Sequence, residues 1–119
     1  FQVCDNNLII DASHNPNGAM ALRESLDFYY PDKKRCFVFG CLKNKDYKKM
    51  MEILFEKRDE IYFYHFNNKN SCTVDELQEV CEFPSKQFTS LEELPDDYLK
   101  IVCGSFYMLN EMIPQSLVR

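Results

Sequence analysis

The chain has 119 residues, 45% of them hydrophobic and 28% charged, with only three glycines. That length and balance suit a single domain with a real apolar core and exclude a disordered or fibrous polymer. A formal charge of -5 disfavours a nucleic-acid grip, because the field of the whole chain repels a polyanion, and no apolar run is long enough to span a bilayer.

The six cysteines, at 4, 36, 41, 72, 81 and 103, include no C-x-x-C pair, and the chain has two histidines. They therefore write neither a zinc site nor a thioredoxin-type motif. Cys36, Cys81 and Cys103 fall in apolar runs, where a reduced thiol behaves as a small hydrophobe, so a reducing cytoplasm is expected. The first residue is Phe, and no basic start, apolar stretch or small-residue cleavage site follows it, so the opening is not a targeting peptide. The chain reads as a piece of something longer, beginning at a domain boundary.

In chain order, residues 1–4 and 8–11 flank the polar Asp5-Asn6-Asn7 turn and suggest a hairpin whose first member is an edge strand. Ala19, Leu22, Leu26, Tyr29 and Tyr30 recur at helical spacing until Pro31 stops them, which predicts a helix over 17–30. Residues 35–39 form a compact apolar run backed by Gly40, and Tyr47, Met50, Met51, Leu54 and Phe55 share one helical face after Asp46. Residues 61–66 are strand-like, and Thr73-x-x-Glu76 is a capping box for a helix carrying Val74, Leu77, Val80 and Cys81.

Residues 86–89 read as a short strand, and Ser90-x-x-Glu93 as a second capping box on a brief helix. A buried strand over 99–103 follows, then a final helix with Phe106, Leu109, Met112 and Ile113 before Pro114. Strands alternating with helices in this way predict an α/β fold: a mostly parallel sheet, helices on both faces and an antiparallel edge strand. In such a sheet the chemistry belongs in the loops beyond the carboxyl ends of the strands, here 11–17, 40–46, 67–72 and 104–105.

The first of these loops, Asp11-Ala12-Ser13-His14-Asn15-Pro16, packs a carboxylate, a hydroxyl, an imidazole and an amide into five residues. Asp11 suits a ribose hydroxyl or, slightly preferred on spacing alone, the backbone N–H groups of its own turn. His14 suits proton transfer or an anion, although a lone loop histidine is more often simply exposed. The second loop, Gly40-Cys41-Leu42-Lys43-Asn44-Lys45-Asp46, brings ammonium groups to a helix start, where a carboxylate or phosphate is at home, with Asp46 as the N-cap. Lys43, Lys45, Lys48 and Lys49 read equally as a solvated helix face. In the third, Ser105 is a natural N-cap for the last helix. No phosphate-binding glycine loop of either common type occurs, so a bound triphosphate must be gripped from outside this chain.

Taken together, Asp11-Ala12-Ser13-His14-Asn15-Pro16, Gly40-Cys41-Leu42-Lys43-Asn44-Lys45-Asp46 and Cys103-Gly104-Ser105-Phe106-Tyr107 resemble three ordered blocks of the folylpolyglutamate synthase/dihydrofolate synthase family. The blocks are D-G-A-H-N-P, G-x-L-x-x-K-D and G-S-[LF]-Y. The resemblance extends over essentially all of residues 1–119 and implies the Rossmann-like, three-layer αβα C-terminal domain of a Mur-ligase-type enzyme. It further implies a ligase that uses ATP and Mg2+ to activate a dihydropteroate or folate carboxylate as an acyl phosphate, which the amine of L-glutamate attacks.

The phosphate loop, most of the magnesium site and the folate pocket then belong to an N-terminal domain, so the isolated domain is expected to be inactive. Carried over by position, Asp11 and Asn15 would lie on the ATP side. His14 would be catalytic, facing the phosphate and the incoming glutamate, and His14, Lys45 and Ser105 would bind that glutamate. No metal ligand is assigned to this chain. The resemblance implies a cytoplasmic monomer without nucleic-acid or membrane partners.

Three departures stand out. Ala12-Ser13 replaces Gly-Ala, Lys69-Asn70 replaces a Pro-Arg pair, and the arginine that often precedes the Phe1-Gln2-Val3 start is not within the sequence. Two alternatives of other classes are a stand-alone receiver-like module and a cysteine-dependent sulfur-transfer domain centred on Cys41. The first lacks an acceptor aspartate after the third parallel strand, where His65-Phe66-Asn67 stands. The second lacks the arginine and small-residue ring of a cysteine loop.

Overall fold

The structure, a computed structural model, describes residues 1–4 and 7–112. Its elements are β1 (Gln2–Cys4), β2 (Leu8–Asp11), α1 (Pro16–Tyr29), β3 (Arg35–Phe39), α2 (Tyr47–Leu54) and β4 (Glu60–Phe63). They continue with α3 (Val74–Val80), β5 (Lys86–Gln87), a single 3-10 turn (Leu91–Glu93), β6 (Leu99–Cys103) and α4 (Phe106–Met112). The strands form one sheet in the order β1-β2-β6-β3-β4-β5, antiparallel only between β1 and β2.

Alternation along the strands sends side chains to two cores. Ile9, Phe37, Phe39, Ile61, Phe63, Leu99 and Ile101 meet Ala19, Leu22 and Leu26 of α1, Met50, Met51 and Leu54 of α2, and Leu77 of α3. Leu8, Ile10, Cys36, Val38, Tyr62 and Val102 face the other way, onto Leu94 behind the 3-10 turn and Met108 and Leu109 of α4. The layers are thus unequal, with three helices on one face and one on the other. Each fully buried Leu, Phe or Met contributes about 1.5–3 kcal/mol, and these two faces hold the sheet between its helices.

Several local expectations hold: Asp46 caps α2, and Thr73 and Glu76 exchange both bonds of a capping box on α3. Helix α1 starts at Pro16, one residue before the expected 17, and Asn15 is its cap. Others are corrected. Ser90 makes no side-chain cap bond; Glu93 is taken instead by the Thr89 hydroxyl, and the segment closes only a 3-10 turn. The strand expected over 61–66 ends at Phe63, because the Phe66 N–H turns back to the Ser71 hydroxyl at 3.2 Å. The strand expected over 86–89 is two residues long, and Cys81 caps α3 half-buried rather than continuing it. Ile113, expected in the last helix, and Asp5 and Asn6 of the first turn lie outside the described residues. Among the described residues no helix is long and apolar enough to cross a membrane.

At the opposite edge from the loops, Arg35 is buried at the start of β3 and donates to Asp27 at 2.9 Å. Nearby Asp59 is also buried. Burial pushes its carboxyl up to about 6, although one oxygen accepts from the Glu56 N–H at 2.8 Å. Between the ordinary carboxylate value and about 6 the folded protein therefore holds a proton that the unfolded chain has released, so stability falls as pH rises through that window. Asp59→Asn, which can still accept the Glu56 N–H, is expected to flatten that decline and to add about 1 kcal/mol at pH 7 after allowance for solvent screening. Urea unfolding at pH 4, 5, 6 and 7 reads this directly; parallel pH profiles for both proteins would refute it.

Candidate functional site

Parallel strands deliver their loops to one edge of the sheet, so residues far apart in sequence gather there. Asp11 at the end of β2 pairs with Cys103 at the end of β6, and Phe39 at the end of β3 pairs with the same Cys103 from the other side. The Gly40 N–H donates to the Cys103 carbonyl at 3.3 Å, closing the seam between the 40–46 loop and Gly104-Ser105. Gly104 has φ +115°, and a Cβ on it would lie 2.2 Å from the Gly40 carbonyl oxygen. Only glycine lets these two loops touch.

Asp11 is buried, and its Oδ1 accepts from the Ser13 N–H at 2.8 Å, which shapes the turn that opens the 11–15 loop. Asn15 is extended, as the residue before a proline must be, and its Oδ1 accepts from the Gly18 N–H at 2.8 Å. A Cβ on Gly18 would come 2.7 Å from the Ser13 Cβ, so glycine there allows the loop to fold onto the first turn of α1. His14 is exposed, with Nδ1 3.3 Å from the Ala12 carbonyl oxygen. A proton on Nδ1 is held by that carbonyl, which makes Nε2 the acceptor for a ligand.

Lys45 is half-buried, and its backbone N–H donates to the Leu42 carbonyl at 3.1 Å. Its ammonium makes no ion pair among the described residues, whereas Lys43 Nζ lies 3.7 Å from Glu76. Lys43, Lys45, Lys48 and Lys49 lie in the loop before α2 and in its first turn, and the Asp46 carboxylate, which accepts from the Lys49 N–H at 3.3 Å, stands among them at the positive end of the helix. Ser105 is buried beside the same seam. Its Oγ accepts from the Tyr107 N–H at 3.2 Å and its carbonyl from the Leu109 N–H at 3.2 Å, so it caps α4 as the sequence suggests.

The cysteine alternative fails on burial. Cys41 is fully buried, and burial, reinforced by the adjacent Cys72, pushes its thiol up to about 12. Native Cys41 is expected to alkylate with iodoacetamide at pH 7.5 at least about 100-fold more slowly than an exposed cysteine. Peptide-resolved labelling would show this, and labelling at the free-thiol rate would reinstate a nucleophilic role. Among the described residues no three His, Cys, Asp or Glu side chains cluster.

One group at this edge escapes sequence reasoning. Glu111 on α4 accepts the Asn67 N–H on Oε1 at 2.7 Å and the Tyr64 hydroxyl on Oε2. That second bond is the main cause pushing the Tyr64 phenol up to about 12. The partners stand 44 and 47 residues apart, and no local pattern marks them.

A mostly parallel sheet with helices on both faces, whose central strand ends bring to one rim a buried hydroxyl and an ammonium with no ion pair among the described residues, defines an α/β domain with its candidate ligand site there. More particularly, the chain belongs to the family of the Mur ligase, glutamate ligase domain, whose profile matches residues 1–105. It is similar to a dihydrofolate synthase/folylpolyglutamate synthase of Bacillus subtilis, 24% identical over 115 residues, which cover 87% of this chain and 26% of that protein.

Among solved structures it is similar to the ligand-free bifunctional folylpolyglutamate synthase/dihydrofolate synthase of Yersinia pestis. The TM-score is 0.79 at 28% identity, covering 93% of this chain and 29% of the other. A bifunctional synthase solved with Mn, AMPPNP and L-glutamate bound gives a TM-score of 0.75 at 26% identity, covering 93% of this chain and 29% of the other. The chain therefore spans only about a quarter to a third of the length of these relatives.

Proposed function

We propose that residues 1–119 are the C-terminal, glutamate-binding domain of a longer ATP-dependent ligase that joins L-glutamate to dihydropteroate, to tetrahydrofolate, or to both. The observation that carries this reading is the rim where the 40–46 loop and Gly104-Ser105 touch, with a Lys45 ammonium that has no ion pair among the described residues and a buried Ser105 hydroxyl, in a chain of the glutamate ligase family. An ammonium and a hydroxyl at a helix start are natural partners for the two carboxylates of glutamate.

Within this reading Lys45 and Ser105 hold the amino acid, and the exposed His14 meets the amine or the developing charge opposite it. Asn15 and Asp11 present the 11–15 loop to the nucleotide, with Asp11 Oδ1 shaping its turn through the Ser13 N–H. ATP, when bound, supplies the phosphoryl group that activates the acceptor carboxylate; this chain's share is to place the glutamate amine against it, which is a positioning task. Support for nucleotide, metal and glutamate use comes from similar synthases solved with AMPPNP and Mn, with and without L-glutamate. The phosphate grip, most of the Mg2+ site and the acceptor pocket fall to an N-terminal domain outside this sequence, and the partners are small molecules and that domain. Cysteines carried as thiols rather than disulfides fit a reducing cytoplasm, and a monomer is the expected state.

The test is ATP-dependent incorporation of labelled glutamate by the full-length parent protein, with dihydropteroate and tetrahydrofolate offered separately. Product with either acceptor is expected, and its absence with both would overturn the reading.

A further inference from the structure

The two groups assigned to glutamate sit on different elements, Ser105 at the start of α4 and Lys45 in the loop before α2, so something must fix their spacing. At the base of the Lys45 loop the sheet does this, through Gly40 N–H to the Cys103 carbonyl. The tip of the loop has no such support from β6. Instead it pairs with the 66–72 loop: the Lys43 N–H donates to the Asn70 carbonyl at 2.7 Å, the Cys72 N–H to the Cys41 carbonyl at 2.9 Å, and Leu42 and Ser71 form an antiparallel bridge.

The 66–72 loop is in turn braced from within. The Ser71 N–H donates to the Asn68 carbonyl at 2.9 Å, the Asn70 N–H to Asn68 Oδ1 at 2.9 Å, and the Phe66 N–H to the Ser71 hydroxyl at 3.2 Å. Its outer end is held by Glu111, which takes the Asn67 N–H on one oxygen and the Tyr64 hydroxyl on the other. Tyr64 is itself anchored, its N–H donating to the Phe39 carbonyl at 3.0 Å and its ring meeting Phe88 edge-on at 5.6 Å. Glu111 lies two turns along the helix that Ser105 caps.

We propose that Glu111 is a positioning residue for glutamate binding, a latch from α4 to the 66–72 loop that fixes where Lys45 stands relative to Ser105. The proposal rests on the glutamate-site reading above and adds to it a residue that touches no substrate. A carboxylate suits this work because its two oxygens accept from a backbone N–H and a phenol at once. The bonds it makes lie at the surface, so they contribute little to global stability and mainly restrain the loop.

The experiment uses the full-length parent protein with Glu111→Ala and Glu111→Gln. Hydrogen exchange followed by mass spectrometry reads the loops directly. In Glu111→Ala the peptides spanning 42–46 and 66–72 are expected to exchange about tenfold faster, while those of β3 and β6 are unchanged. In steady-state ligation the same variant is expected to raise KM for glutamate about tenfold, with kcat and KM for ATP within about twofold of wild type. Glu111→Gln, whose side-chain oxygen can still accept the Asn67 N–H, restores most of both.

Unchanged loop exchange, or unchanged glutamate KM despite faster exchange, would overturn the latch. So would a rise in exchange across the whole chain, which marks a merely structural residue. If the wild-type parent ligates no glutamate, the function proposed above falls, and exchange in the two loops still decides whether Glu111 restrains them.

Discussion

Gly104→Ala is expected to destabilise the domain by about 4 kcal/mol, enough to bring a protein of ordinary marginal stability close to unfolding. Two costs add. An alanine at φ +115° occupies backbone space that L side chains rarely adopt, and its Cβ would sit 2.2 Å from the Gly40 carbonyl oxygen and 3.0 Å from the Phe39 ring. Neither neighbour can retreat cheaply: Gly40 is hydrogen-bonded to Cys103, and Phe39 is buried among Phe55 and Phe63.

Gly18→Ala is the natural comparison. Its clash is with the Ser13 side chain on a half-exposed loop and its φ is ordinary, so a loss of only about 1 kcal/mol is expected. Urea unfolding of the two variants beside wild type gives the order. A Gly104→Ala midpoint equal to that of Gly18→Ala would show that the seam between the two loops is looser than drawn.

The second large effect concerns ligand rather than fold. In the full-length parent protein Lys45→Ala is expected to lower kcat/KM for glutamate about 100- to 1000-fold, because truncating one partner of a desolvated charge pair leaves the substrate carboxylate uncompensated. Most of the loss should appear in KM for glutamate, with KM for ATP unchanged, since Lys45 is assigned to the amino acid and not to the nucleotide. Thermal stability should hardly move, because the ammonium makes no ion pair among the described residues. Lys45→Arg keeps the charge but changes the donor geometry and should recover only part of the activity. A glutamate KM within twofold of wild type for Lys45→Ala would remove this lysine from the site.

Much of this protein is legible in its sequence, because the relevant forces act within a few residues. Helical spacing in 17–30 and the apolar run at 35–39 mark α1 and β3, and Asp46 and the Thr73–Glu76 pair mark helix starts through bonds spanning three positions. The three loop blocks are equally local, which is why the family could be read from them before any coordinates.

What the sequence leaves open depends on contacts between distant segments. Ser90 and Glu93 have the spacing of a capping box, but the Thr89 hydroxyl competes for Glu93 and wins. No periodicity reveals that the last strand, β6, inserts between β2 and β3, yet this insertion puts Ser105 beside the Lys45 loop. Nor does any pattern reveal that Glu111 reaches Tyr64 and Asn67. Most elements, two of the helix caps and the loops that carry polar side chains are written in neighbouring residues, since hydrogen bonds and burial periods of short range set them. Strand order, the contact of Gly104 with Gly40 and the bracing of the Lys45 loop were decided only by the tertiary structure, because they follow from how whole apolar faces pack and which distant groups that packing brings within bonding range.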